Sequence, residues 1–120
     1  MFVYGTLRRG MFYYGEYMSH AEFVAESKAE GFIMFRNPED HYPYIIRGEG
    51  EIVGEVFKVS QDELGKLDIL EEIPGLYTRD KISVSGEDAW IYVFNSPNRP
   101  DSLRIESGDW VEYNKNSMST

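Results

Sequence analysis

Between Ser60 and Pro74 the chain spells out both ends of a helix. Ser60-Gln61-Asp62-Glu63 has the capping-box pattern: the serine oxygen can accept from the amide three residues on, and the glutamate can accept from the serine's own amide. The pattern predicts a helix beginning at about Gln61. Pro74 has no amide proton and drives the residue before it out of the helical region, so the helix is expected to stop near Glu72. At about 100° per residue, Leu64, Leu67 and Leu70 form one apolar stripe, and Glu71 projects on that side between Leu64 and Leu67. Asp68 and Glu72 lie off the stripe's centre. A carboxylate turned toward a core loses hydration, which raises its pKa and suits it to proton transfer near neutrality. The plain alternative is an ordinary acid on a solvated helix face.

The rest of the chain reads mainly as short strands between turn signals. Met1 to Tyr4 is a β-favouring run ended by Gly5, and Gly31 to Phe35 is a second strand. Residues 23–29 fit either strand or helix. Tyr44 to Ile46 and Ile52 to Val59 follow, separated by the glycine-rich turn Arg47 to Gly50. Arg79 to Val84 and Ala89 to Phe94 flank the turn Ser85 to Asp88 as a hairpin. Residues 11–21 are aromatic and irregular, a loop or short helix. Asn37 to Asp40 marks a turn, Pro97 and Pro100 close the last long strand, and Lys115 to Thr120 is a polar, fraying tail. These elements predict one α+β domain over residues 1–120, a small, mostly antiparallel mixed β-barrel with one or a few short helices.

With 120 residues, 42% of them apolar and including 9 Tyr, 7 Phe and 2 Trp, the chain can build a core and line a pocket unaided. The absence of cysteine excludes a thiol nucleophile, a cysteine zinc site and a disulfide framework, and fits a cytoplasmic protein. A net charge of −9 opposes binding to phosphate backbones, so nucleic acid is not an expected partner. No apolar stretch approaches the roughly 18 residues of a membrane span, and no leader pattern precedes the first strand. His20 and His41 stand far apart without ligand spacing, so no metal site is expected.

Val3 to Gly10 follows a strand with a loop bounded by glycines, which can turn successive amides inward as a nest for an anion such as a carboxylate. A phosphate-cradling loop has a similar glycine spacing, but Met11 and Phe12 stand where Lys and Ser or Thr are needed. A hairpin turn with two solvated arginines, Arg8 and Arg9, is the simpler alternative.

Tyr4-Gly5-Thr6-Leu7-Arg8-Arg9-Gly10 resembles a motif of the gamma-glutamylcyclotransferase-like superfamily, and so does Leu67-Asp68 followed by Glu71, Pro74, Tyr77 and Arg79. Gly48 with Gly54-Glu55-Val56-Phe57, and Ser107-Gly108-Asp109-Trp110 with Tyr113, extend the resemblance over nearly the whole chain, most of all to the gamma-glutamylamine cyclotransferase branch. The resemblance implies a small mixed barrel whose loop Tyr4, Gly5, Thr6 and Leu7 binds the glutamyl part of a small gamma-glutamyl substrate. It also implies that Glu71, already singled out by the helix geometry, is the catalytic acid and base. The implied reaction is cyclisation of the glutamyl group to 5-oxoproline with release of an amine or amino acid, without metal or cofactor.

Tyr77, at the start of the next strand, is a candidate to bring its hydroxyl to the same cavity, with a packed core tyrosine as the alternative. Pro43, Tyr44 and Tyr113 are candidates for its mouth, though plain packing is the simpler reading of each. The segment Met11 to Tyr17 is a candidate for its outer rim. Arg79 reads as the partner of a nearby acid, and Trp110 as the anchor of the C-terminal segment. A non-catalytic binding member of the fold, or another amide-cleaving enzyme for glutamyl-tagged metabolites, are the competing functions. A nucleophile triad is disfavoured because there is no Gly-x-Ser-x-Gly elbow.

Overall fold

The computed structural model describes residues 1–36, 42–71, 77–84, 86–94 and 102–118, with side chains to residue 115 in the last stretch. The turn at Asn37 to Asp40, His41, Glu72, Pro74, Ser85, Pro97 and Pro100 lie outside the described residues.

Two long strands, β2 (Glu22–Arg36) and β3 (Pro43–Lys58), pair antiparallel from Glu22 opposite Lys58 to Arg36 opposite Pro43. β1 (Phe2–Val3) joins the free side of β3, and β6 (Leu103–Arg104) joins β2, giving the order β1-β3-β2-β6. β4 (Tyr77–Val84) and β5 (Glu87–Phe94) form a separate hairpin sheet. The helices are α1 (Tyr14–Tyr17), α2 (Gln61–Leu70) and α3 (Trp110–Met118). Among the described residues no helix is long and apolar enough to cross a membrane.

The structure departs from the sequence expectation in several places. Arg47 to Gly50 is no turn but the middle of β3, where the glycines let strands approach. A Cβ on Gly48 would collide with Ile33 Cδ1, and one on Gly50 would lie 2.6 Å from the Phe32 carbonyl oxygen. Residues 23–29 are strand, with a register shift at Phe23/Ala25, and merge with Gly31 to Phe35 across a second shift at Glu30/Phe32. The β4/β5 turn is tighter than Ser85 to Asp88, since Val84 already faces Glu87 and Gly86 takes a φ of 81°. Helix α3 carries the polar segment after Lys115 on to Met118.

The barrel is not closed: the described strands make two sheets without a hydrogen-bonded ladder between them. They are held face to face by side chains, with Phe2, Phe32, Met34, Ile45 and Ile52 of the larger sheet against Ala89, Ile91 and Val93 of β5. Trp110 is buried in this cluster and fastens α3 to it. The alternate residues of β5, Trp90, Tyr92 and Phe94, face a second cluster with Leu64 and Leu67 of α2, so β5 is covered on both sides. That second face positions the site.

Candidate active site

The capping box forms as spelled: Glu63 N donates to Ser60 Oγ at 3.1 Å, and Ser60 N donates to Glu63 Oε1 at 2.8 Å. With the helix start fixed, Leu64 and Leu67 are buried and Glu71 follows on their face as the C-terminal cap, its amide donating to Leu67 O at 2.9 Å. The Glu71 carboxyl lies along a cavity of about 250 Å³. Burial pushes its pKa up to about 7.

The same cavity is lined by Tyr4, Gly5, Thr6 and Leu7 from the loop after β1, and by Tyr77, Tyr92, Tyr13, Tyr42, Pro43 and Leu70. The loop is a succession of turns in which Arg8 N donates to Gly5 O at 3.0 Å and Tyr13 N donates to Thr6 O at 2.9 Å. The amides of Thr6 and Leu7, two residues that line the cavity, donate to no group among the described residues, so each still needs an acceptor. Gly5 is required by packing: a Cβ there would meet Pro43 Cγ at 2.8 Å and Cδ at 2.9 Å.

Arg8 is not a solvated turn residue. It is 3% exposed, and its Nε donates to Glu55 Oε2 at 3.2 Å while Nη1 donates to Asp109 Oδ1 at 2.8 Å. Glu55, equally buried, also accepts from the backbone amide of Arg9 at 2.9 Å. Asp109 accepts in addition from Glu112 N at 3.1 Å, at the start of α3. The loop is thus tied to β3 and to the C-terminal segment by charge-assisted bonds inside the protein. Arg9 is half-exposed and stacks over the Phe23 ring at 3.6 Å.

A second network ties Tyr4 to β5 and α2. Tyr4 Oη donates to the Tyr92 carbonyl at 2.8 Å, Tyr92 Oη donates to Asp68 Oδ1 at 2.7 Å, and Arg79 Nη1 donates to Asp68 Oδ2 at 2.6 Å. Arg79 in turn lies over the Trp90 ring at 4.5 Å. Burial raises the Tyr4 hydroxyl's pKa, aided by neighbouring Tyr77 and Glu71. The Tyr92 hydroxyl is raised by burial first, then by the bond to Asp68 and the charges of Asp68 and Glu71.

Tyr4, Gly5, Thr6, Leu7, Glu71 and Tyr77 therefore share one cavity, and Pro43 and Tyr13 join them. Tyr44 does not reach it: the ring is buried and its hydroxyl donates to Ser102 Oγ at 2.6 Å. Tyr113 stacks on Trp110 at 5.7 Å, and its hydroxyl accepts from Arg36. Tyr92, Tyr42 and the Asp68 anchor were missed in the sequence. The run Ala89 to Phe94 is apolar throughout and gives no alternation from which the cavity face of β5 could be read.

Comparison with known proteins gives the same grouping. Residues 1–112 match the family Gamma-glutamyl cyclotransferase, AIG2-like. A Vibrio cholerae protein named "Putative gamma-glutamylcyclotransferase" is 38% identical over 114 residues, 93% of this chain and 95% of the other. The gamma-glutamylcyclotransferase family protein YtfP of Escherichia coli is 33% identical over 116 residues, 96% of this chain and 98% of the other. The crystal structure of an uncharacterized protein from Pyrococcus horikoshii superposes with a TM-score of 0.84 at 28% identity, covering 98% of this chain and 94% of that one. The chain belongs to the AIG2-like gamma-glutamyl cyclotransferase family.

Proposed function

We propose that the protein is a gamma-glutamylcyclotransferase acting on a small gamma-glutamyl amine or amino acid, with Glu71 as its general base and acid. The observation that carries this reading is the meeting in one cavity of a buried carboxyl, its pKa pushed up to about 7, with a loop that has two amides to spare. Thr6 and Leu7 amides hold the substrate's α-carboxylate, with Tyr4, Gly5 and Tyr77 shaping the chamber around the glutamyl chain. Folding that chain brings its own α-amine onto the γ-carbonyl, where effective molarities of up to about 10⁵ to 10⁸ M are within reach.

Glu71 takes a proton from the α-ammonium, and the freed amine attacks the γ-carbon. Glu71 returns that proton to the departing nitrogen as its C–N bond breaks, and the second proton shed by the ring nitrogen passes by way of Glu71 to the released amine, giving 5-oxoproline and an ammonium product. A carboxyl titrating near neutrality suits both halves of the step. The test is incubation with gamma-glutamyl amines, gamma-glutamyl amino acids and glutathione while 5-oxoproline is followed. Release from at least one class supports the proposal, and none from any class overturns it.

A further inference from the structure

The cavity has a second polar wall that the proposed acid-base step does not use. Tyr92 comes from β5 and Tyr4 from the loop, and both line the cavity that holds Glu71. A tyrosine hydroxyl has one proton to give and lone pairs with which to accept. Both protons are already committed: Tyr4 Oη donates to the Tyr92 carbonyl at 2.8 Å, and Tyr92 Oη donates to Asp68 Oδ1 at 2.7 Å. Asp68 is itself held by Arg79 at 2.6 Å, so its carboxylate cannot readily turn away. What Tyr92 offers a ligand is therefore lone pairs alone. Its hydroxyl also lies near enough to Glu71 for the carboxylate to oppose its ionisation.

We propose that Tyr92, with its proton pinned by Asp68, is the acceptor that binds the substrate's α-ammonium and orients it for attack, with Asp68 and Arg79 as positioning residues. In the same cavity the Thr6 and Leu7 amides supply only donors. A chamber that offers donors from the loop and an acceptor from β5 selects a zwitterionic α-amino acid head. After Glu71 has taken one proton, the neutral amine still has two hydrogens to give to acceptors. Its lone pair is left for the γ-carbonyl. The identity of the ligand rests on the cyclotransfer reading, but the polarity of the wall does not.

Ligand binding separates the two. The probes are L-glutamine and glutaramate, which is the same molecule without its α-amine, measured by calorimetry near pH 7.5. Wild type should prefer L-glutamine. In Tyr92→Phe the preference should fall about tenfold or more, the scale of a hydrogen bond to a charged group, while glutaramate binds as before. Asp68→Asn keeps Tyr92 in place but can donate an amide hydrogen to its oxygen, and should lower the same preference. Circular dichroism checks that each variant folds, and the backbone acceptor for Tyr4 survives both changes.

A preference undiminished in both variants overturns the proposal, as does an equal loss for both ligands, which would mark a purely structural role. If the amine preference behaves as stated but no gamma-glutamyl compound releases 5-oxoproline, the subsite stands and the cyclotransfer reading fails. The reverse pair of results condemns the subsite alone.

Discussion

Replacing Glu71 with Gln should make the protein more stable and, if the proposed mechanism is right, inactive. Burial raises the carboxyl from 4.5 to about 7, so the folded state holds the proton more tightly than the unfolded chain does. The fold carries no charge penalty from this group below the ordinary carboxylate range, and stability is lost as pH rises toward the folded pKa. With those two values, linkage puts the penalty at about 1 kcal/mol at pH 5.5 and about 3 kcal/mol from pH 7 upward. Gln has nothing to ionise. Urea denaturation of wild type and Glu71→Gln should therefore show a gain for the variant that grows by about 2 kcal/mol between pH 5.5 and pH 8.5. Glu30→Gln, at an exposed position on β2, serves as the control for loss of a surface carboxylate. In parallel, 5-oxoproline release by Glu71→Gln should drop by about 10² to 10⁴-fold, the usual worth of general acid-base help. A pH-independent difference from wild type would refute the buried carboxyl, and an unchanged turnover would refute its role as base.

For wild type, kcat/KM should rise with pH through about 7, because the base must be unprotonated to accept from the ammonium; a rate flat from pH 5.5 to 8.5 contradicts this. Arg8→Ala should cost about 3 kcal/mol in denaturant unfolding by removing the partner of buried Glu55, whereas Arg9→Ala should cost about 1 kcal/mol or less. Equal effects would mean that the Arg8 network does not fasten the loop. Gly5→Ala should destabilise by about 1 to 3 kcal/mol and raise KM, since its methyl must displace the Pro43 ring or the loop. Crystals soaked in acetate should place the anion at the Thr6 and Leu7 amides, and a site on the Arg9 side chain instead would argue against the loop as a carboxylate nest.

What the sequence made legible was local. Ser60 and Glu63 lie within one turn of each other, so their mutual caps could be read from spacing, and the helix face of Glu71 followed. What it hid was nonlocal. Arg8 meets Glu55 47 positions away and Asp109 101 positions away, and the letters Arg8-Arg9 look alike although one is buried and the other half-exposed. Gly48 and Gly50 read as a turn because glycine marks close backbone approach and chain reversal with the same letter. The open edges between the two sheets likewise depend on how β5 packs on β3, which no single strand's pattern specifies.

The β2/β3 ladder joins neighbours in the chain and can zip from its own connection, whereas β1 must find β3 past α1 and β2, with Phe2 opposite Val56. The chamber comes later still, because its walls come from both ends of that search: residues 4–7, Glu71, Tyr77 and Tyr92, braced by Asp109. During folding or synthesis, a chain that has closed only its long hairpin leaves Glu71 in water, titrating as an ordinary carboxylate. The burial that raises its pKa then arrives with the docking of β5 and the C-terminal segment. Hydrogen exchange should accordingly find the β2/β3 amides protected before those of the loop.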